Sequence, residues 1–253
     1  MTITSCLLTT ETDTNVNLHE VDYQKVVNEM MHGLKNGDSV ETQIELLKNS
    51  TEDELKEQLK TDNDKITFWV NVYNAYIQII LSEHQEYYQD RRSFFKTPHI
   101  EIAGQHMTFA DIEHGIIRRS QFEYFLGYVR NPFVSRYKKM LRPKKKDFRI
   151  HFALNCGAKS CPPVGIYTPE NLDAQFDASA KKFLHDFSKY NATKNEVLTT
   201  PLFSWFRGDF KGKKGVKEIL KRYGVVPSED VELSFDRYDW TLALNNYVEW
   251  EDL

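Results

Sequence analysis

Residues 64–83, DKITFWVNVYNAYIQIILSE, carry apolar side chains around most of a helical circumference. Phe68, Trp69, Val72, Tyr73, Tyr76 and Ile80 leave no wide polar face, and a helix that is apolar nearly all round is a buried one. This segment is therefore expected to be the central helix on which the rest of the chain packs. One stripe departs from the pattern. Thr67, Asn71, Asn74 and Gln78 follow i, i+4, i+7 and i+11 and so share one face. Either that face meets water or it walls a site, and in the second case its amides must find hydrogen-bond partners.

The segments on either side fill out the fold. The first 18 or so residues, rich in Thr and Asn, read as a tail. Helical spacing over 21–34 stops near Gly37, and Thr51 with Glu54 forms a capping box before a short acidic helix. Downstream, IEIAGQHM at 100–107 predicts a small hairpin turning near Gly104. Thr108 and Asp111 then form a second capping box, on a helix whose core stripe is Phe109, Ile112, Ile116 and Ile117. Periodicity puts Glu113 in that same stripe. Unpaired burial of a carboxylate costs several kcal/mol, so Glu113 needs a raised pKa or a partner such as Arg118 or Arg119.

Beyond the basic run SRYKKMLRPKKKDFR (135–149), which reads as a solvated loop, alternating Ile150, Phe152 and Leu154 predict a short buried strand over 149–155. A helix starting at Thr168-Pro169 turns Leu172, Phe176, Ala180, Phe183 and Phe187 to the core. A strand near 196–200, the aromatic segment LFSWFRGDF, a basic helix over 213–223 stopped by Gly224, the strand VELSF and the closing RYDWTLALN complete the chain. The expected class is α+β, mainly helical with a small antiparallel sheet. Residues 1–61 read as a tail and helical addition, and 62–253 as the α+β domain, the two forming one compact unit.

Composition narrows the function. The 253 residues are 40% hydrophobic and carry a net charge of -4, so there is core enough to fold and no general attraction to nucleic acid. No glycine-rich phosphate cradle or other cofactor motif stands out. Nothing approaches the roughly 20 apolar residues of a membrane span, and the opening residues lack a signal-peptide pattern, so a cytoplasmic protein with no membrane partner is expected. Three cysteines, an odd and small number, suit a reducing compartment.

Two of those cysteines fall in RIHFALNCGAKSCPP (149–163), where the expected strand gives way to a turn closed by Pro162-Pro163. A thiol at a strand end is well placed to react, provided a base or positive field lowers its pKa and a third group orients the base. Cys156 is the candidate nucleophile. His114, from another element, is preferred as base, with His151 the alternative, and Asn71 or Asn74 supplies an orienting amide as in a Cys-His-Asn arrangement. Glu113 either holds the site together or carries a proton. Adjacent helical residues do not face each other, so Glu113 is not expected to orient His114. Backbone N–H groups over 157–161 are expected to stabilise an oxyanion, with Asn71, Ser160 and Cys161 contacting substrate. A zinc site built from Cys156, Cys161, His114 and His151 is a further option from the residue types, although C-x4-C is not a usual zinc spacing and no metal is expected.

Taken in order, FWVNVYNA, DIEHGIIR, RIHFALNCGAKSCPP and the terminal YDW with a following LN resemble the family catalogued as domain of unknown function 547, over about residues 62–246. Its motifs fall on Asn71, Asn74, Glu113, His114, His151, Cys156 and Cys161. The family in turn looks similar to papain- and transglutaminase-like thiol enzymes, which implies a helix packed on a small antiparallel sheet with the site at their junction. Here His114 precedes Cys156, the reverse of the papain order, which leaves a permuted site, a different catalytic histidine, or no such relation. Two functions follow as expectations. One is a thiol-dependent hydrolase or acyl transferase acting on a small molecule or peptide. The other is a non-catalytic binding or scaffolding module in which the Asn, Glu, His and Cys residues form a buried polar network. Exposure separates them, because an enzyme needs Cys156 in an open cleft beside His114.

Overall fold

The computed structural model describes residues 21–250, so the expected N-terminal tail lies outside the described residues. Helices α1 (Tyr23–Asn36), α2 (Glu41–Lys48) and α3 (Glu52–Gln58) lead into the central helix α4 (Asp62–Glu83). Helix α1 ends where Gly37 takes φ 80° and returns its amide to Gly33 and Leu34, a left-handed stop that side chains with a Cβ disfavour. The Thr51–Glu54 capping box is present, and a second one, Thr61–Asp64, starts α4 slightly earlier than its apolar pattern suggests.

Thr67, Asn71, Asn74 and Gln78 are all buried, which removes the solvent-face option for their stripe. Asn71 donates to the Tyr167 carbonyl at 2.8 Å and accepts from the Tyr167 N–H at 3.1 Å. Asn74 donates to the Ala153 carbonyl at 3.0 Å and accepts from the Asn155 N–H at 2.8 Å. Further along, Gln78 accepts from the Asn245 N–H at 2.8 Å. An amide has the donor and acceptor of a peptide group, so this stripe docks irregular chain onto a helix as a neighbouring strand would dock it onto a sheet.

After the short helix α5 (Arg91–Phe94), strands β1 (Ile100–Ile102) and β2 (Gln105–Met107) form the expected antiparallel hairpin, with Gly104 at φ 67° in its turn. The basic run holds helix α6 (Arg136–Leu141), capped by Ser135. Helix α7 (Leu172–Asp186) precedes a second sheet of β3 (Lys189–Asn191), β4 (Glu196–Thr199) and β5 (Glu232–Phe235). That sheet is mixed rather than antiparallel. β3 and β4 run antiparallel, but β4 and β5 run parallel, because α8 (Leu202–Trp205) and α9 (Gly212–Arg222) lie in the connection between them. Such a crossover is what a parallel pair requires.

The expected strand over 149–155 does not form. Phe148–Phe152 is a 3-10 helix, capped by Asp147 accepting from the Arg149 N–H at 2.9 Å. Ile150, His151, Phe152 and Ala153 are all buried, so alternation of polarity does not report alternation of faces here. His151 is polar yet internal because it has partners. Two aromatic and aliphatic clusters make the core, one around α1, α4 and the hairpin, the other joining Phe152, Phe183, Phe203, Phe210 and Leu220 beneath α7, α9 and β4. The segment 148–156 runs between them.

Candidate active site

The Thr108–Asp111 capping box forms as expected, with the Asp111 N–H donating to Thr108 Oγ1 at 2.9 Å. The helix it opens is not an ordinary one. Asp111–Ile117 is a π-helix, closed by the Arg118 N–H donating to the Glu113 carbonyl at 2.7 Å. Widening each turn by about one residue changes which side chains share a face. Consecutive Glu113 and His114 thereby both reach one cleft, with Glu113 Oε1 3.4 Å from His114 Nδ1. The two side chains thus approach each other although neighbours on an α-helix do not, but no hydrogen bond joins them, and Arg118 rather than Glu113 occupies His114 Nδ1.

The cleft has a volume of about 280 Å³. Glu113, His114, His151 and Cys156 line it, against a wall that includes Phe95, Trp205, Phe206, Tyr238 and Trp240. Trp205 and Trp240 stack at 5.7 Å between ring centroids. Burial among these rings raises the Glu113 carboxyl to about 7; Arg118 and Tyr73 pull it down while the charges of Asp209 and Glu123 add to the rise. A carboxyl that titrates near neutrality can give or take a proton without a large penalty either way.

Behind the cleft sits a hub absent from the sequence expectations. Asp209, almost wholly buried, accepts from Arg118 Nε at 2.7 Å, Lys146 Nζ at 2.8 Å and His151 Nε2 at 3.0 Å. These donors outweigh burial and hold its carboxyl well below the usual range. Arg118 extends the network by donating from Nη1 to His114 Nδ1 at 2.8 Å. A guanidinium only donates, so His114 Nδ1 must accept and its proton sits on Nε2. Burial first, and the charge of Arg118 next, keep His114 neutral, its pKa well below the ordinary value. His151 is likewise neutral, brought down to about 4 by burial against the opposing pull of Asp209, and its ring stacks on Phe206 at 4.2 Å. Both histidines therefore reach the cleft, yet each has a ring nitrogen committed to this network.

Cys156 is half-buried on the cleft wall, and Cys161 lies behind it. Their sulfurs are 2.6 Å apart. Cys161 Sγ also accepts from the Cys156 N–H at 3.0 Å and lies 3.2 Å from the Tyr238 hydroxyl. Burial raises the Cys161 thiol, but hydrogen bonds from Cys156 and Tyr238 outweigh it and bring the pKa down; Cys156, donating to Cys161 and buried, is pushed up. The two thiols thus titrate as a coupled pair in which Cys161 is the more acidic and Cys156 holds its proton more tightly.

The remaining expected roles divide. The amides of Asn71 and Asn74 are spent on backbone and orient neither histidine. Of the amides over 157–161, four are engaged within the fold: Gly157 donates to Asn155 Oδ1, Lys159 and Ser160 to the carbonyls of Thr241 and Asp239, and Cys161 to that of Ala158. The Ala158 N–H instead faces the two cysteine sulfurs and lowers both thiols. Ser160 Oγ accepts from the Asp239 N–H at 2.9 Å. Apart from Ala158, these groups anchor the closing segment and are not free for an oxyanion or a substrate. Among the described residues no three His, Cys, Asp or Glu side chains gather in a metal-binding group, so the zinc arrangement is not assembled.

Comparison with protein families bears on the same residues. The family model described as "Protein of unknown function, DUF547" matches residues 56–184. This chain belongs to the DUF547 family. No curated protein and no solved structure matches it. The DUF547 match contains Glu113, His114, Arg118, His151, Cys156 and Cys161 but ends before Asp209, which accepts from Arg118 and His151, and Tyr238, which contacts Cys161. Asp209 left one sequence signal, a lone acid inside the aromatic segment LFSWFRGDF. The reasoning that singled out Glu113 applies to it equally.

Proposed function

We propose that this DUF547 protein is a thiol-dependent hydrolase or acyl transferase whose nucleophile is Cys156. The reading rests on one observation above the rest: Cys156 faces an open, aromatic-walled cleft that Glu113, His114 and His151 also line. In the step this favours, the Cys156 sulfur attacks an acyl carbon as its proton passes to Cys161 Sγ, 2.6 Å away and reacting as the thiolate. The carbonyl π pair moves to oxygen. His114 donates a hydrogen bond to that oxygen from Nε2; as the carbonyl re-forms and the bond to the leaving group breaks, Glu113 in its acid form, titrating near 7, gives the leaving group its proton. Water or an acceptor nucleophile then attacks the thioester and loses its proton to the Glu113 carboxylate, and the Cys156 sulfur leaves and takes back its proton from Cys161, which restores both groups. Cys161 rather than a histidine serves as base, so the reading keeps the thiol chemistry expected from papain-like enzymes without their His-first proton transfer.

The scaffolding alternative is supported by the α4 amide stripe, but Cys156 stands outside that stripe. The test uses p-nitrophenyl acetate as probe. Wild-type protein is expected to release nitrophenolate in a burst stoichiometric with protein and to gain one acetyl group on Cys156 by mass spectrometry; Cys156→Ala loses both with unchanged thermal stability. No burst, together with a Cys156 that resists iodoacetamide until the protein is denatured, refutes the enzyme in favour of the scaffold.

A further inference from the structure

Residues 124–133, YFLGYVRNPF, form a hairpin loop at the rim of the cleft, next in sequence to the cleft residue Glu123. Its side chains point outward. Tyr124, Phe125, Leu126, Tyr128, Val129 and Phe133 are all exposed, Phe125 to 60% and Phe133 to 89%. Single exposed apolar residues are ordinary, but so contiguous a set marks an interaction surface.

The loop is held in this presentation. The Phe122 N–H donates to the Val129 carbonyl at 3.0 Å, Asn131 to Ser120 at 2.7 Å and Gly208 to Leu126 at 2.7 Å. Phe125 and Leu126 take φ of 68° and 55°, a left-handed backbone that bulky side chains disfavour. At Gly127, φ 81°, a Cβ would come within 2.9 Å of Asp209 Oδ1. The loop base thus rests on the Asp209 hub, and its apolar tip is set out rather than collapsed onto the core.

Charge identifies what covers it. Residues 124–146 hold eight Lys and Arg and no Asp or Glu, in a chain whose net charge is -4. Arg130, Arg136, Lys139, Lys144 and Lys145 are exposed and make no ion pair among the described residues. Lys139 Nζ reaches the Pro132 carbonyl at 3.4 Å, which puts a cation beside Phe133. A second copy would bring the same positive surface against itself and be repelled. An anionic lipid surface offers both what an apolar tip and its flanking cations, Arg130 within the loop and Lys139 beside Phe133, require: a hydrocarbon boundary for aromatic rings and negative headgroups for Lys and Arg.

We propose that the 124–133 loop docks this protein onto anionic membrane surfaces. No helix among the described residues is long and apolar enough to cross a membrane; the association is peripheral and independent of the cleft's chemistry. Sedimentation of the full chain with vesicles of phosphatidylcholine alone, or with about 30% phosphatidylserine, tests it. Wild type is expected to pellet with the anionic vesicles and to be released by salt. The double variant Phe125→Ser with Phe133→Ser should bind them about tenfold more weakly, and Arg130→Glu with Lys139→Glu should lose the preference for phosphatidylserine, both with wild-type thermal melting because these side chains are exposed. Wild type left in the supernatant at low salt, equal binding to neutral vesicles, or unchanged binding by the Phe variant overturns the proposal. So does a wild-type dimer, seen by analytical ultracentrifugation without vesicle binding, that the Phe variant dissociates.

Discussion

At the scale of single residues, the cleft separates ionisable groups by environment. Glu113 gains its near-neutral pKa from burial and so opposes folding wherever the unfolded chain would ionise it more readily. The folded carboxyl titrates at about 7 against an ordinary 4.5; between those values the native state binds more protons, and stability falls as pH rises. Glu113→Gln is therefore expected to raise stability at pH 8 by up to about 3 kcal/mol, with no gain at pH 4, as read by urea denaturation at the two pH values. Asp209→Asn acts in the opposite direction. It leaves the guanidinium of Arg118, wholly buried, without its carboxylate, which costs about 3–5 kcal/mol; a loss below about 1 kcal/mol would show that Asp209 is no anchor. For the cysteines, Cys161→Ser removes the sulfur that takes the Cys156 proton in the proposed reaction. The acetylation burst of that variant should be slower and shifted to higher pH, whereas a purely packing role for Cys161 would leave the pH profile where it is.

The elements show how irregular chain is fixed in place. Helix α4 carries amides where a helix of this kind would carry leucine, and each pairs with the backbone of a segment that forms no regular strand. Asn74→Ala leaves the Ala153 carbonyl and Asn155 N–H unpaired in the interior, at about 1–3 kcal/mol per group. Asn74→Leu should be as damaging despite its greater hydrophobicity, and equal stability of the Leu variant would argue against this account. Gly157, at φ 84° with Leu81 only 3.0 Å from where a Cβ would stand, belongs to the same design, since it lets the chain leave Cys156 and turn back against the closing segment.

Across the whole molecule, pH acts through several buried groups at once. His114 and His151 are neutral when folded, His151 with a pKa of about 4 against an ordinary 6.5. Within that window the unfolded chain binds more protons, so their contribution is present above pH 6.5 and lost as pH falls toward 4. Glu113 works the other way between 4.5 and 7. Two histidines outweigh one carboxyl, and the melting temperature is expected to peak near pH 6.5, falling steeply on the acid side and gently on the basic side. A flat profile from pH 4.5 to 6.5 in differential scanning calorimetry would show that the histidines are not held neutral. The same layout puts the cleft, the Asp209 hub and the exposed 124–133 loop in contact, so chemistry and surface share one support.

Much of this was legible in local sequence. Capping boxes at Thr51 and Thr108, the Gly37 stop, the Gly104 hairpin and the buried character of the helix around 64–83 all follow from interactions within a few residues, and the pair of cysteines, Glu113 and the two histidines stood out as reactive types in apolar settings. What local pattern did not encode was decided by contacts from distant chain. The segment 149–155 has the alternation of a strand but no strand beside it to complete a ladder, so Asn74 and Asp147 satisfy its backbone and it coils. The π-helix that turns Glu113 and His114 into one cleft differs from an α-helix by a single added residue per turn, beyond the resolution of apolar periodicity. The Asp209 carboxylate, reached from 118, 146 and 151, becomes a hub only when those four residues are brought together. Composition and short-range chemistry thus set the elements and the candidate reactive groups, whereas the protonation of those groups, and which of them meet, depended on burial and on partners that only the folded chain supplies.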